Sequence, residues 1–169
     1  MKIPQLTFEE FLLLPDSQRE ELQHIAMMQE GFVVDCRKWT HGQVKDAQEI
    51  MPSVTYQNIY DLVAIDMPGI ATAPFHIVLA TFEAIRQSVE EISLLESETL
   101  GGTPTPKEIE ALDEMGGFDN FYKFPETDAL CQGDITKYET VRALPWELCY
   151  VKALYNKAIN DYTKALNKC

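Results

Sequence analysis

Asp134-Ile135-Thr136-Lys137-Tyr138-Glu139-Thr140-Val141-Arg142-Ala143 runs into Leu144-Pro145-Trp146 and then into a helical pattern that lasts to Lys168. Pro145 suits the first position of a helix, where its missing N–H costs nothing, and it discourages α geometry at Leu144 before it. Glu147 follows in the opening turn, where a carboxylate complements the helix dipole. The stretch predicts two helices with a bend between them. In the later one Leu148, Tyr150/Val151, Leu154/Tyr155, Ala158/Ile159, Tyr162 and Ala165/Leu166 form a broad apolar side, with Lys152, Lys157, Lys164 and Lys168 largely off it. A helix patterned in this way is built to dock.

Upstream, the same periodicity recurs between breaks. Thr7-Phe8-Glu9-Glu10 has the spacing of a reciprocal cap, and a short helix through Leu14 is expected to stop near Pro15. Asp16 or Ser17 can cap the next helix, which carries Leu22, Ile25 and Ala26 toward an exit at Gly31. Phe32-Val33-Val34-Asp35-Cys36-Arg37-Lys38-Trp39 fits either a short strand or a helical turn into Trp39. A helix with Val44, Ala47, Ile50 and Met51 is closed by Pro52. Another spans Val54 to Met67, with Tyr56, Ile59, Tyr60, Val63 and Ala64 in register. Pro68-Gly69 marks a turn, and Thr72-Ala73-Pro74 introduces the longest helix before the tail. There Phe75, Val78, Leu79, Phe82, Ile85, Val89, Ile92 and Leu94/Leu95 give the spine of a bundle.

Leu100-Gly101-Gly102-Thr103-Pro104-Thr105-Pro106 is the clearest break. Thr105 and Glu108 around Pro106 open a short helix with Ile109, Leu112 and Met115, ending at Gly116-Gly117. Residues 101–133 therefore read as an excursion that returns to a C-terminal helical pair over 134–169. Inside it Phe118, Phe121, Tyr122 and Phe124 gather beside Pro125, a cluster that can plug the bundle or fill a pocket on a partner. The expected fold is all-α: one helical domain over 1–169, an irregular multi-helix bundle with a long central helix and a long C-terminal helix.

A chain of 169 residues, 46% of them hydrophobic, can bury one substantial core. Twenty-seven acidic against fourteen basic residues leave a net charge of −13, which disfavours direct nucleic-acid binding, because that affinity comes from basic groups releasing counterions. The charge is uneven: residues 1–136 carry eight basic and twenty-four acidic groups, whereas 137–169 carry six basic and three acidic. A mildly basic tail on an acidic body can steer toward an acidic partner or another copy, or it can serve only to complement the end of its own helix. The opening lacks a signal-peptide pattern and no apolar run is long enough for a membrane span, so an intracellular life without a membrane is expected.

No residue set announces catalysis. Glu21-Leu22-Gln23-His24 has a Glu-x-x-His spacing, but a di-iron bundle needs it twice. Cys36 and His41, with Asp35 nearby, lack the spacing of an activated nucleophile, so Cys36 reads as a packing group and His41 as a surface or turn residue. Cys131, Cys149 and Cys169 form no metal constellation. Glu83, Glu90, Glu91, Glu96 and Glu98 read as a solvated acidic face that can also receive lysines from another subunit. Phosphate-cradling glycine loops, nucleophile elbows and zinc-protease histidine pairs do not occur. The expectation is a non-enzymatic protein with no catalytic, cofactor or metal residues and no cofactor, whose partners are proteins. The candidate partner-binding residues are Phe118, Phe121, Tyr122, Trp146, Tyr150, Lys152, Lys157 and Lys164. Trp146 has an alternative role, holding the helix junction from inside.

Thr7-Phe8-Glu9-Glu10-Phe11-Leu12-Leu13-Leu14-Pro15 and Tyr138-Glu139-Thr140-Val141-Arg142-Ala143-Leu144-Pro145-Trp146 resemble segments of small accessory proteins of tailed-phage morphogenesis modules. The resemblance covers about a quarter of the chain and transfers no functional residue. It implies a virion connector or structural assembly component, found in the host cytoplasm during assembly or in the virion. Its partners would be copies of itself and phage portal, connector or tail proteins. Alternatives are a transient tail-assembly chaperone and a host-directed acidic regulatory protein.

Overall fold

The computed structural model describes residues 5–27, 33–102, 106–115 and 124–167. Among these residues the fold is all-α, with a long central helix and a long C-terminal helix and no strand beyond two isolated bridges. The helices are α1 (Phe8–Leu12), α2 (Asp16–Met27), α3 (His41–Ile50), α4 (Tyr56–Asp66), α5 (Phe75–Leu100), α6 (Pro106–Met115), α7 (Phe124–Cys131), α8 (Tyr138–Arg142) and α9 (Trp146–Leu166). None is long and apolar enough to cross a membrane. The chain divides into two compact units, Met1–Cys36 with Ile50–Glu90, and Arg37–Glu49 with Glu91–Cys169. The long helix α5 thus gives residues 75–90 to the first unit and 91–100 to the second.

In the first unit the reciprocal cap forms as the spacing requires: Thr7 Oγ1 accepts from the Glu10 amide, and the Glu10 carboxylate accepts from the Thr7 amide. The helix it opens ends at Leu12, short of the expected Leu14. Backbone bonds from Phe8 N–H to the Ala73 carbonyl and from Phe75 N–H to the Leu6 carbonyl, both 2.9 Å, tie the start of α1 to the start of α5. This places Phe11 flat on Phe75, with centroids 5.0 Å apart, and edge-on to Tyr56 at 5.8 Å. The Arg19 guanidinium lies over the outer face of Tyr56 at 5.0 Å. Phe8, Ile59, Leu62, Val63, Ile70, Val78, Leu79, Phe82, Ile85 and Val89 complete an almost wholly apolar interior. Thr55 and Asn58 cap α4 reciprocally. Past Gly69, which turns the chain in a left-handed conformation (φ 86°), a single 3-10 turn covers Ile70–Thr72.

The ambiguous segment before Trp39 resolves as a 3-10 turn over Cys36–Lys38. The Cys36 amide donates to Ser88 Oγ at 3.0 Å. Burial pushes the Cys36 thiol up to about 12, so it is a packing group and no activated nucleophile.

The second unit begins with a pair of backbone bonds: His41 N–H to the Leu144 carbonyl (2.8 Å) and Trp146 N–H to the Trp39 carbonyl (3.0 Å). They join the N-terminus of α3 to the bend between α8 and α9, where Pro145 sits one position earlier than expected, as the cap, and Trp146 opens the helix. Thr40 and Gln43 cap α3 reciprocally. Arg142 reaches both oxygens of Asp46, at 2.7 and 2.6 Å, across Gly42. A Cβ at position 42 would stand 3.1 Å from the Arg142 Cβ, so only glycine admits this approach without a shift. Between α6 and the C-terminal pair the structure places a helix that the excursion over 101–133 does not announce, α7, closed by Gln132 and Gly133 in the left-handed region. The expected cap of Thr105 with Glu108 and the exits at Gly31 and Gly116-Gly117 lie outside the described residues.

Candidate functional site

The second unit holds a polar centre that the apolar periodicity does not reveal. Lys45 on α3 is 3% exposed, and its ammonium bonds both oxygens of Glu96 on α5 (2.9 and 2.8 Å), Gln48 Oε1 (3.1 Å) and Glu126 on α7 (2.7 Å). Its three donors are therefore directed at protein acceptors. Glu96 also accepts from the Trp146 indole N–H and from Gln48 Nε2, each at 2.9 Å. Burial raises the Glu96 carboxyl, but Lys45 and the hydrogen bonds from Gln48 and Trp146 outweigh it and hold the group below the usual carboxylate range. A buried ion pair stands only where its remaining lone pairs and protons are bonded, and here Gln48 and Trp146 complete the set.

His41, one turn before Lys45, is 4% exposed, which corrects the expectation of a surface or turn residue. Its Nε2 lies 3.3 Å from Thr127 Oγ1, and its buried Nδ1 meets no hydrogen-bond partner among the described residues. Burial first, and then the nearby Lys45 ammonium, lower its pKa to about 4, so it is a neutral imidazole. Glu96, expected on a solvated acidic face, is likewise corrected: its side chain is 15% exposed and serves as the counter-ion of the cluster.

Above this cluster opens a groove of about 680 Å³, lined by α3, the end of α5, α7 and one side of α9. That side of α9 carries three of the eight sequence-selected residues, Tyr150, Lys157 and Lys164. Trp146 is 2% exposed and stacks on Tyr150 at 4.9 Å, so it holds the helix junction from inside and offers no surface. The Tyr150 hydroxyl donates to Thr99 Oγ1 at 3.0 Å. Lys157 donates to the Thr99 and Gly101 carbonyls, each at 2.7 Å, and so neutralises the negative end of α5. Lys164 lies at the groove rim. Lys152 departs from this side and rests over the Tyr155 ring, 4.9 Å away. Phe118, Phe121 and Tyr122 lie outside the described residues.

The opposite face of α9 is where the apolar residues stand. Leu148 (55%), Val151 (55%), Tyr155 (59%), Ile159 (46%), Tyr162 (63%) and Leu166 (57%) are all strongly exposed. On an ideal helix these six fall within one narrow stripe. A core-facing helix buries such a stripe. Here the hydrogen-bonding tyrosine and Lys157 face the groove, and the stripe faces away from it.

The chemistry available at the groove is hydrogen bonding and charge pairing. Lys45 is saturated, the described cysteines are buried with raised pKa values, and among the described residues no group of three or more His, Cys, Asp or Glu side chains is placed to hold a metal ion. Comparison of the chain with family models, with curated proteins and with solved structures finds no match.

Proposed function

We propose that this protein works by binding other proteins, as a non-enzymatic helical component of a phage assembly, in the role of a connector or structural assembly protein. The observation that carries the binding role is the exposed stripe on α9. Six large apolar side chains, each 46% exposed or more, make a continuous surface over five turns. Monomeric proteins seldom leave a patch of a few hundred Å² open to water, and such patches mark docking surfaces. Burying it is favourable by roughly 25 cal/mol per Å² of apolar area. The phage context rests on the resemblance of the α1 and α8–Pro145 segments to morphogenesis proteins, whose work is positional.

Quantitative mass spectrometry of particles and complexes isolated under native conditions tests the reading. Retention of the chain at fixed stoichiometry in a particle supports a connector. Its presence on a tail protein before completion and absence from the finished particle supports a transient chaperone instead. Capture of a single host enzyme, with no association to particle or tail proteins, would sink the assembly reading.

A further inference from the structure

We infer that the stripe on α9 is covered by the same stripe of a second copy of this chain, the two helices lying antiparallel about a two-fold axis. This rests on the binding role proposed above and names its occupant. The residues repeat in heptads, with Leu148, Tyr155 and Tyr162 at one seam position and Val151, Ala158 and Ala165 at the other. One seam is large and the other mostly small.

That asymmetry selects the direction of pairing. In a parallel pair, like residues meet at each level: Tyr155 on Tyr155 and Tyr162 on Tyr162 would force the helices apart, while Ala158 on Ala158 and Ala165 on Ala165 would call for close approach. In an antiparallel pair the two seam positions face each other. Tyr155 then lies opposite Ala158 of the second copy, Leu148 opposite Ala165, and Tyr162 opposite Val151. Large meets small or medium at every level, the condition for interdigitation at one helix separation. Each residue and its mate exchange roles across the axis, so the contact closes as a dimer and does not propagate. Ile159 flanks the seam beside Lys152 of the second copy, whose methylene stem can cover it while the ammonium stays in water.

The area suffices. From the exposures of the six stripe residues, each copy offers on the order of 600 Å², and two copies together reach roughly the 1,200 Å² at which specific interfaces begin. Trp146, Tyr150 and Lys157 are already committed on the groove side of the helix, so pairing through the stripe leaves those bonds intact.

The test is sedimentation and light scattering of the full chain across a concentration series, with Tyr155→Lys and Tyr162→Lys alongside. The wild-type chain is expected as a dimer. Each substitution should weaken dimerisation by about 30-fold or more, the scale of a central interface anchor, with an unchanged far-ultraviolet circular dichroism spectrum. Direction is read by oxidising a mixture of Leu148→Cys and Ala165→Cys chains and weighing the joined peptides, which separates this bond from any formed by the native cysteines. A 148–165 bond between copies is expected; a 148–148 bond overturns the antiparallel pairing. A chain that stays monomeric at every concentration, or a dimer indifferent to both tyrosine substitutions, overturns the inference. If that monomer is nonetheless retained in a particle and loses retention on Tyr155→Lys, the binding role stands and only the second copy is wrong as its occupant.

Discussion

Each of the two units has an interior held by its own kind of physics. In the first, Phe11, Phe75, Tyr56 and Phe8 stack around a contact between α1 and α5, and the rest of the interior is mainly aliphatic, with Phe82 among it. In the second, the centre is an ammonium shared by two carboxylates and an amide, with an indole N–H and a neutral imidazole beside it. An apolar interior is stabilised in proportion to the area it removes from water and is indifferent to pH. A buried polar centre must have each group matched, and losing one member leaves the others exposed to the cost of desolvation.

The contrast breaks first at Phe11. Phe11→Ala removes a fully buried ring with three aromatic neighbours, and a loss of about 4 kcal/mol in denaturant-measured stability is expected. A loss under about 1 kcal/mol would show that the ring stack is incidental. Next comes Glu96→Ala, which strips Lys45 of its principal counter-ion and leaves the Trp146 N–H unpaired; about 3 kcal/mol should be lost. Sharper still is the pair. Lys45→Met with Glu96→Met should cost less than either single change, because the two buried charges leave together and Glu126, 46% exposed, stays solvated, whereas additive losses would mean that the cluster is not a unit.

The pH dependence of stability distinguishes the second unit's centre by a comparable amount. His41 has a folded pKa of about 4 against 6.5 unfolded, so the unfolded chain takes up the proton first as pH falls. Its contribution is intact above pH 6.5 and is lost progressively toward pH 4, by up to roughly 3 kcal/mol. Lys45, Glu96, Glu126 and Arg142 set the field around it, and Glu96, held below its usual range, adds a loss in the same direction at lower pH. Denaturant melts at pH 7 and pH 4.5 of the wild type and of His41→Asn measure it; equal slopes in the two chains would remove His41 from the account. The smallest effect is kinetic: Cys36, with its thiol near 12 and its residue fully buried, should resist alkylation at pH 8 until the first unit opens. Rapid labelling of the native chain at that position would contradict the packing described.

The contrast also explains which parts could be read from the sequence. Helices α1, α4, α5, α6, α8 and α9 announce themselves because apolar spacing and caps are local. The burial of Ile59, Val63, Phe75, Val78, Leu79, Phe82, Ile85, Val89 and Ile92 follows from spacing alone. Glu96 and Lys45 were legible only in a less direct way. Ile85, Val89, Ile92 and Glu96 continue one stripe at steps of four, three and four, and His41, Val44, Lys45 and Gln48 occupy another. Two opposite charges standing where an apolar residue is due are the signature of a buried pair, but their partnership spans 51 positions and no local pattern encodes that. Helix α7 escaped because it is short and its polar and apolar residues are nearly evenly mixed. The pattern of α9 is easily seen; which side of it meets the body is not, since Trp146, Cys149, Tyr150 and Ala153 make a second, shorter apolar row that captures the helix.

Lys157, with Trp146 and Tyr150, sets the rotational phase of that helix. With the Lys157 ammonium clamped on the carbonyls of Thr99, in the last turn of α5, and of Gly101 just past it, α9 cannot roll about its own axis without breaking two short bonds. A one-residue insertion just after Lys157 would keep the clamp and advance everything beyond it by about 100°, swinging Tyr162 and Leu166 out of line with Leu148 and Tyr155. Composition, charge and helicity would hardly change, yet the outer seam would be cut in two, so the reading frame of this surface is kept by what Trp146, Tyr150 and Lys157 bond on the other side of the rod.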